Sequence, residues 1–279
     1  NECYEHKGYF CSMKFLKIAL NFYINASIHV AIAVYALVRV TEYYFGLSNN
    51  EYLNAFIFFG TITGYNFVKY AGVAKLHHRS LTNNLKIIQL FSLVSFFAMC
   101  YYGLQISLST LVFIFPFVGL TFLYAVPFLS GFEKSLREVS FLKILVVAFV
   151  WSGFTVLIPL VAVGKEISLN ISLHLLQRFL IVVVLILPFD IRDVKYDAIN
   201  LQTIPKKIGE QRTKRLGVLL MVFSLILEYL ISSELSVKFP FMMFFFLVIV
   251  FLMRSKTDQS KYFSSFWVEL LPIIWWILL

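Results

Sequence analysis

The chain has 279 residues, of which 60% are hydrophobic; it holds 31 Phe, its formal charge is +9 and its mean hydropathy is +0.82. A water-soluble domain of this length has no use for so much apolar surface, so lipid must be the solvent for most of it. A soluble enzyme is therefore excluded, and Cys3, Cys11 and Cys100 have neither metal-binding nor redox spacing.

The polar opening NECYEHKGYFCS precedes Met13, and MKFLKIAL reads as the start of a membrane protein. Residues 1–14 are accordingly expected to precede a single membrane domain over 15–279. No small-residue cleavage site follows the first apolar run, which continues too far for a signal peptide. Candidate spans lie near 18–38, 52–72, 85–103, 109–128, 142–163, 172–189, 214–232, 237–253 and 263–279, nine in all. Between Ile87 and Phe132 no side chain is charged. As one helix that stretch runs to roughly 69 Å, about twice a bilayer core, so it divides into two passes at GLQISLS, 103–109.

Connections alternate between nearly uncharged and strongly basic. Of the 24 Lys and Arg, 20 fall on one side of this topology, and only Arg39, Lys165, Arg178 and Lys238 fall elsewhere. The positive-inside rule then places the N-terminus and the connections after spans two, four, six and eight in the cytoplasm. A bacterial cytoplasmic membrane is the expected location. The basic charge follows from topology, without a nucleic-acid partner; anionic lipid or a diphosphate substrate also meets it.

One connection carries an unusual cluster. DIRDVKYDAINLQTIPKKIG, 190–209, follows the apolar run FLIVVVLILPF and sets Asp190, Asp193 and Asp197 at spacings of three and four. On a continuing helix these carboxylates share one face about a turn apart, and they repel unless a cation holds them. The second informative stretch is GYNFVKYAGVAKLHHRSL, 64–81, at the end of span two. His29, Glu228 and Glu269 lie in or near spans, where ionisable groups are costly, but the sequence assigns them no role.

The order of these two stretches resembles the UbiA family of intramembrane prenyltransferases, over nearly the whole chain from about Phe15. That family carries polar motifs after its second and sixth helices. The second motif looks intact here: Asp190, Asp193, Asp197, then Thr203-Ile204-Pro205 and Gly209. The first is degenerate, because Asn66 matches the family's Asn while Tyr70 and Ala74 stand where it has aspartates. The resemblance implies an all-α polytopic bundle of about nine transmembrane helices around a cavity open to the cytoplasm and the bilayer.

It also implies a reaction: transfer of an isoprenyl group from a prenyl diphosphate to an aromatic, quinone-precursor or other lipophilic acceptor. Asp190, Asp193 and Asp197 are the implied catalytic and Mg²⁺-binding residues, with Asn66 as a remaining metal ligand. Lys69, Arg79, Tyr124, Lys143 and Asn25 are the implied substrate contacts. Mg²⁺ takes hard oxygen ligands, which Ala74 cannot supply and a Tyr70 hydroxyl supplies poorly. One of two metal sites is therefore expected to be weakened or absent, with Lys69 or Lys75 partly replacing its charge. Two competing expectations are a UbiA-like protein that binds isoprenoid or quinone without turnover, and an ion-coupled transporter using the aspartates as a cation site. Against the transporter, Asp-rich sequence occurs in one half of the chain only.

Overall fold

Repeated apolar runs punctuated by polar turns leave the backbone one way to satisfy its hydrogen bonds in lipid, which is helix. A computed structural model describes residues 16–70, 83–125, 142–195, 203–232 and 234–279, and among these there is no strand. In chain order the helices are α1 (Leu16–Asn25), α2 (Ile28–Tyr44), α3 (Glu51–Tyr70), α4 (Asn83–Gly103), α5 (Leu108–Ala125) and α6 (Leu142–Ser152). A π-helical turn, Gly153–Leu157, joins α6 to α7 (Ile158–Ala162). There follow α8 (Leu169–Asp193), α9 (Ile204–Ile208), α10 (Glu210–Ile231), α11 (Leu235–Arg254), a second π turn (Phe263–Val268) and α12 (Glu269–Leu278).

Helices occupy each interval that the sequence assigns to a span. By length and composition, however, five are fit to cross a membrane, or six if the bent pair α1–α2 is one span. The predicted count of nine is not reached by that measure. The reason is compositional: α10 opens on EQRTKR, and α12 with its π turn is short.

The core holds two large clusters and a small third one at Val156, Leu160 and Ile171. In one, α8, α10, α11 and α12 close around Trp275, which stacks on Phe244 with ring centroids 4.6 Å apart. In the other, α2, α3, α5 and α7 close around Val34, Ile57 and Phe117. The contacts of α8 with α6 and α10, and of α2 with α3 and α12, tie the two together. Remote from Asp190 along α8, the buried Arg178 donates to Leu37 O (2.8 Å) and lies over the Trp275 ring, while Gln177 and Tyr44 both donate to Glu228.

Helix irregularities fall where proline or close packing demands them. Pro159 lacks an N–H, which strands the carbonyl of Thr155 four residues before it. The hydroxyl of Thr41 in α2 donates to that carbonyl at 2.6 Å. Gly153 begins the π turn because a Cβ there would lie 2.2 Å from the Phe117 ring. Gly153→Ala is expected to cost about 1–3 kcal/mol through overpacking. Thermal unfolding in detergent micelles checks this, with Gly119→Ala as control, since a Cβ at Gly119 meets nothing within 4 Å.

The first span is broken instead of bent gradually. Ser27 adopts a left-handed conformation (φ 63, ψ 21), and α1 and α2 meet at 58°. A non-glycine residue there costs roughly 1–2 kcal/mol, so neighbouring contacts must hold it.

Candidate active site

The second motif is built from the end of α8 and the corner that follows. Asp190 is fully buried and accepts an ion-paired hydrogen bond from Lys143 Nζ at 2.8 Å, joining α8 to the first turn of α6. Lys143 lies within electrostatic range of Asp193 and Tyr124 as well. Asp193 pairs with Arg192 Nε at 2.8 Å, and Arg192 Nη1 donates to the hydroxyls of Ser264 and Ser265 in the second π turn. The side chain of Gln259 donates to Pro188 O at 2.8 Å, which fastens the α11–α12 connection to the same helix end. Lys195 pairs with Asp258 beside it. Asp197 and Arg79 lie outside the described residues.

The Thr-Ile-Pro…Gly tail has a mechanical role. Thr203 is the extended N-cap residue of α9, Pro205 sits in its first turn, and Gly209 ends it at φ 84, ψ 159. That region is essentially open only to glycine, and it lets α10 start at once in a new direction. Pro in the first turn and Gly past the last is the ordinary asymmetry of a short helix.

The first-motif residues meet a different target. Asn66 is buried; its Oδ1 accepts from Ser27 Oγ at 2.8 Å and its Nδ2 donates to Ala26 O at 3.1 Å. Lys69 Nζ donates to Ser27 Oγ at 2.8 Å, and the Tyr70 hydroxyl donates to Asn25 O at 3.1 Å. One helix face of α3 thus satisfies the groups that the α1–α2 break leaves unpaired. The Asn25 side chain is exposed beside this clamp.

Between the two motifs lie Tyr65 and Glu269, both half-buried, and the exposed side chain of Lys69. Trp151 Nε1 donates to the Tyr65 hydroxyl at 2.9 Å, and buried Tyr124 lies within electrostatic range of Tyr65 and Lys143. Lys69 and Arg192 are both within electrostatic range of Glu269. The structure therefore brings Asp190, Asp193, Lys143 and Tyr124 together, while Lys69 on α3 turns to Ser27. Sequence reasoning missed the tie between Asn66 and the broken first span, and gave Glu269 no role. The one signal for Glu269 was its charge within the final apolar run.

Among the described residues, no three His, Cys, Asp or Glu gather closely enough to hold a metal. Two hard carboxylates, Asp190 and Asp193, do stand three residues apart on one helix end. They suit one Mg²⁺ chemically, whereas α3 offers a lysine and an amide already committed to the break.

Solved structures with this architecture are known. A UbiA homolog from Archaeoglobus fulgidus bound to DMAPP and Mg²⁺ is 13% identical, with a TM-score of 0.62, covering 92% of this chain and 97% of its own. The same homolog bound to GPP and Mg²⁺ is 12% identical, with a TM-score of 0.61 and the same coverage. A digeranylgeranylglyceryl phosphate synthase is 14% identical, with a TM-score of 0.57, covering 94% of this chain and 97% of its own. No curated protein sequence matches significantly. At these identities the likeness shows the fold; family membership comes from the sequence profile, which matches residues 80–270. With that match over more than half its length, the chain belongs to the UbiA prenyltransferase family.

Proposed function

We propose that this protein is an intramembrane prenyltransferase, moving an isoprenyl group from a prenyl diphosphate to a lipophilic acceptor in the bilayer. The observation that carries the reading is the buried Asp190–Lys143 pair beside Asp193 at the end of α8. In this reading the motif end faces the cytoplasm, where soluble diphosphates reach it.

Prenyl transfer breaks an allylic C–O bond, and the bonding electrons leave with the diphosphate. The remaining allylic cation is attacked by an electron-rich acceptor. Catalysis is chiefly stabilisation of charge on the departing group and exclusion of water. Asp190, Asp193 and Asp197 would hold Mg²⁺, which when bound neutralises phosphate oxygens. Lys143 orients the Asp190 carboxylate and presents its own charge beside it. Lys69 supplies a cation on the wall where relatives have an aspartate-rich motif, and Arg79 is assigned to diphosphate on the same side. Tyr124 stands near both Lys143 and Tyr65. Asn66 and Asn25 hold the entrance at the α1–α2 break, Asn66 through its side chain and Asn25 through its carbonyl.

A second reading, a binder of isoprenoid or quinone without turnover, has one observation in its favour. Tyr70 spends its hydroxyl on Asn25 O and offers no carboxylate. The deciding experiment incubates purified protein with labelled dimethylallyl, geranyl and geranylgeranyl diphosphates and total membrane lipid, then follows release of inorganic diphosphate and the labelled product. Lys69→Ala is expected to lower release about tenfold or more and to steepen its dependence on Mg²⁺, as loss of one positioned cation does. Binding without release supports the second reading.

A further inference from the structure

Where α2, α3 and α12 come together, at the opposite end of α3 from Asn66 and Lys69, the surface opens into a pocket of about 420 Å³. That volume lies in the range of sites for small molecules. Along α3 its lining runs through Glu51, Asn54, Phe58 and Phe59, one face of the helix passing from polar to aromatic. Tyr35 of α2 and Trp276 of α12 complete the aromatic part, set edge to face with ring centroids 5.6 Å apart. Asn49 and Glu51 are exposed, so the polar end meets water. Phe58 lies two turns, roughly 10 Å, further along the span. Aromatic side chains anchor helices at a membrane boundary, and these also enclose a volume.

The polar end carries one charge too many. Arg39 Nη1 donates to Glu42 Oε2 and to Asn49 Oδ1, each at 2.6 Å. Asn54 Nδ2 donates to Glu42 Oε1 at 2.9 Å and to Asn49 Oδ1 at 2.8 Å. An arginine accepts no hydrogen bond, so Asn49 presents its oxygen, and the Asn54 amide faces that oxygen with its NH₂. Arg39 and Glu42 cancel as a pair. Asn54 Oδ1 and Arg39 Nε are buried without partners, an acceptor and a donor that add no net charge. Glu51 is left over, because its carboxylate has no hydrogen bond or ion pair among the described residues. No Lys, Arg or His among the described residues lines the pocket.

A pocket walled by rings and rimmed by an unpaired carboxylate suits a positive charge on an apolar stem. The faces of aromatic rings attract a cation, more strongly where water is excluded. Helices set in lipid meet one amphiphile of that kind directly, a phospholipid whose head group ends in an ammonium. We propose that the pocket binds a zwitterionic phospholipid of the leaflet opposite the aspartate motif, its ammonium group held by Glu51 and the aromatic wall, its chains in the bilayer. A lipid without an ammonium gains neither contact, and Glu51 repels an anionic head group. This site stands apart from prenyl transfer and does not depend on it.

Trp276 reports on the pocket directly. The full chain is reconstituted in phosphatidylglycerol bilayers that hold a minor share of phosphatidylethanolamine or phosphatidylglycerol with brominated chains, which quench tryptophan on contact. Trp276 emission is the difference between wild type and Trp276→Phe. Brominated phosphatidylethanolamine is expected to quench it at about fivefold lower mole fraction than brominated phosphatidylglycerol, the scale of one cation–π contact plus one exposed ion pair. Glu51→Gln should bring the two lipids to within about twofold, at an unchanged unfolding midpoint, since that carboxylate holds nothing in the fold. Glu166→Gln, exposed in the α7–α8 turn and outside the pocket, should keep the full preference. Equal quenching in wild type, a preference for phosphatidylglycerol, or an ethanolamine preference that survives Glu51→Gln overturns the inference. So does Trp276 emission that neither brominated lipid quenches, which would leave the pocket to water.

Discussion

Asp190→Asn is expected to lower diphosphate release by about 10²–10³-fold, the scale on which single charge-stabilising groups act in enzyme sites. The same substitution also breaks a buried pair, which confounds a simple reading. Asp190 is fully buried while the Lys143 side chain keeps 21% of its surface exposed. Removing one partner of a wholly buried pair costs roughly 3–5 kcal/mol, and the partial exposure of Lys143 puts this pair at or below the lower end. Loss of activity alone therefore does not separate a substrate-facing carboxylate from a bolt between α6 and α8.

A double variant separates them. Asp190→Asn with Lys143→Met removes both charges and keeps the side-chain volumes close, a change often neutral for stability. Its unfolding midpoint is expected to return toward wild type while release stays at the level of the single variant. Recovery of release along with the midpoint would mean the pair only braces the bundle. Geranyl diphosphate affinity, measured in parallel, is expected to weaken in both variants.

Much of this architecture was legible before any coordinates. Lipid as solvent allows only helices or a closed barrel, and apolar runs of about 20 residues fit helices, so those runs located the spans. The continuation of helix through Asp190 and Asp193 was legible because their spacing is local, whereas the short α9 and the Gly209 corner were seen only as motif letters. The Asp190–Lys143 contact was half legible. Both residues were named, but nothing in the chain shows that positions 47 apart meet at 2.8 Å. The break at Ser27 was invisible. No glycine or proline marks it, and a serine at φ 63 is held there by side chains some 40 residues away. The tie of α3 to that break was invisible for the same reason: a motif compared position by position says nothing about a defect in a neighbouring helix. Glu269 was seen as an oddity and no more, because whether a lone carboxylate faces lipid, protein or void is a tertiary fact.

Asn66→Asp distinguishes the two tasks open to the first motif, because they predict opposite signs. As a metal ligand, Asn66 offers one carbonyl oxygen, and a carboxylate at the same place is a harder, charged oxygen donor that Mg²⁺ prefers. Transfer would hold or rise, and less Mg²⁺ would saturate it. As the clamp seen here, Asn66 gives a hydrogen to Ala26 O and takes one from Ser27. A carboxylate has no hydrogen to give, so it sets oxygen against the Ala26 oxygen and leaves that buried acceptor unpaired, at about 1–3 kcal/mol. Lys69, joined to the same Ser27 hydroxyl, offsets part of the new charge but cannot replace the lost donor. The expected outcome is therefore a lower unfolding midpoint and weaker transfer at every Mg²⁺ concentration, with Asn66→Ala showing the same losses. The break sets the direction of α1, so the amide that holds it acts on the scaffold without touching the diphosphate, and a gain on substitution by aspartate would move Asn66 from the scaffold to the metal.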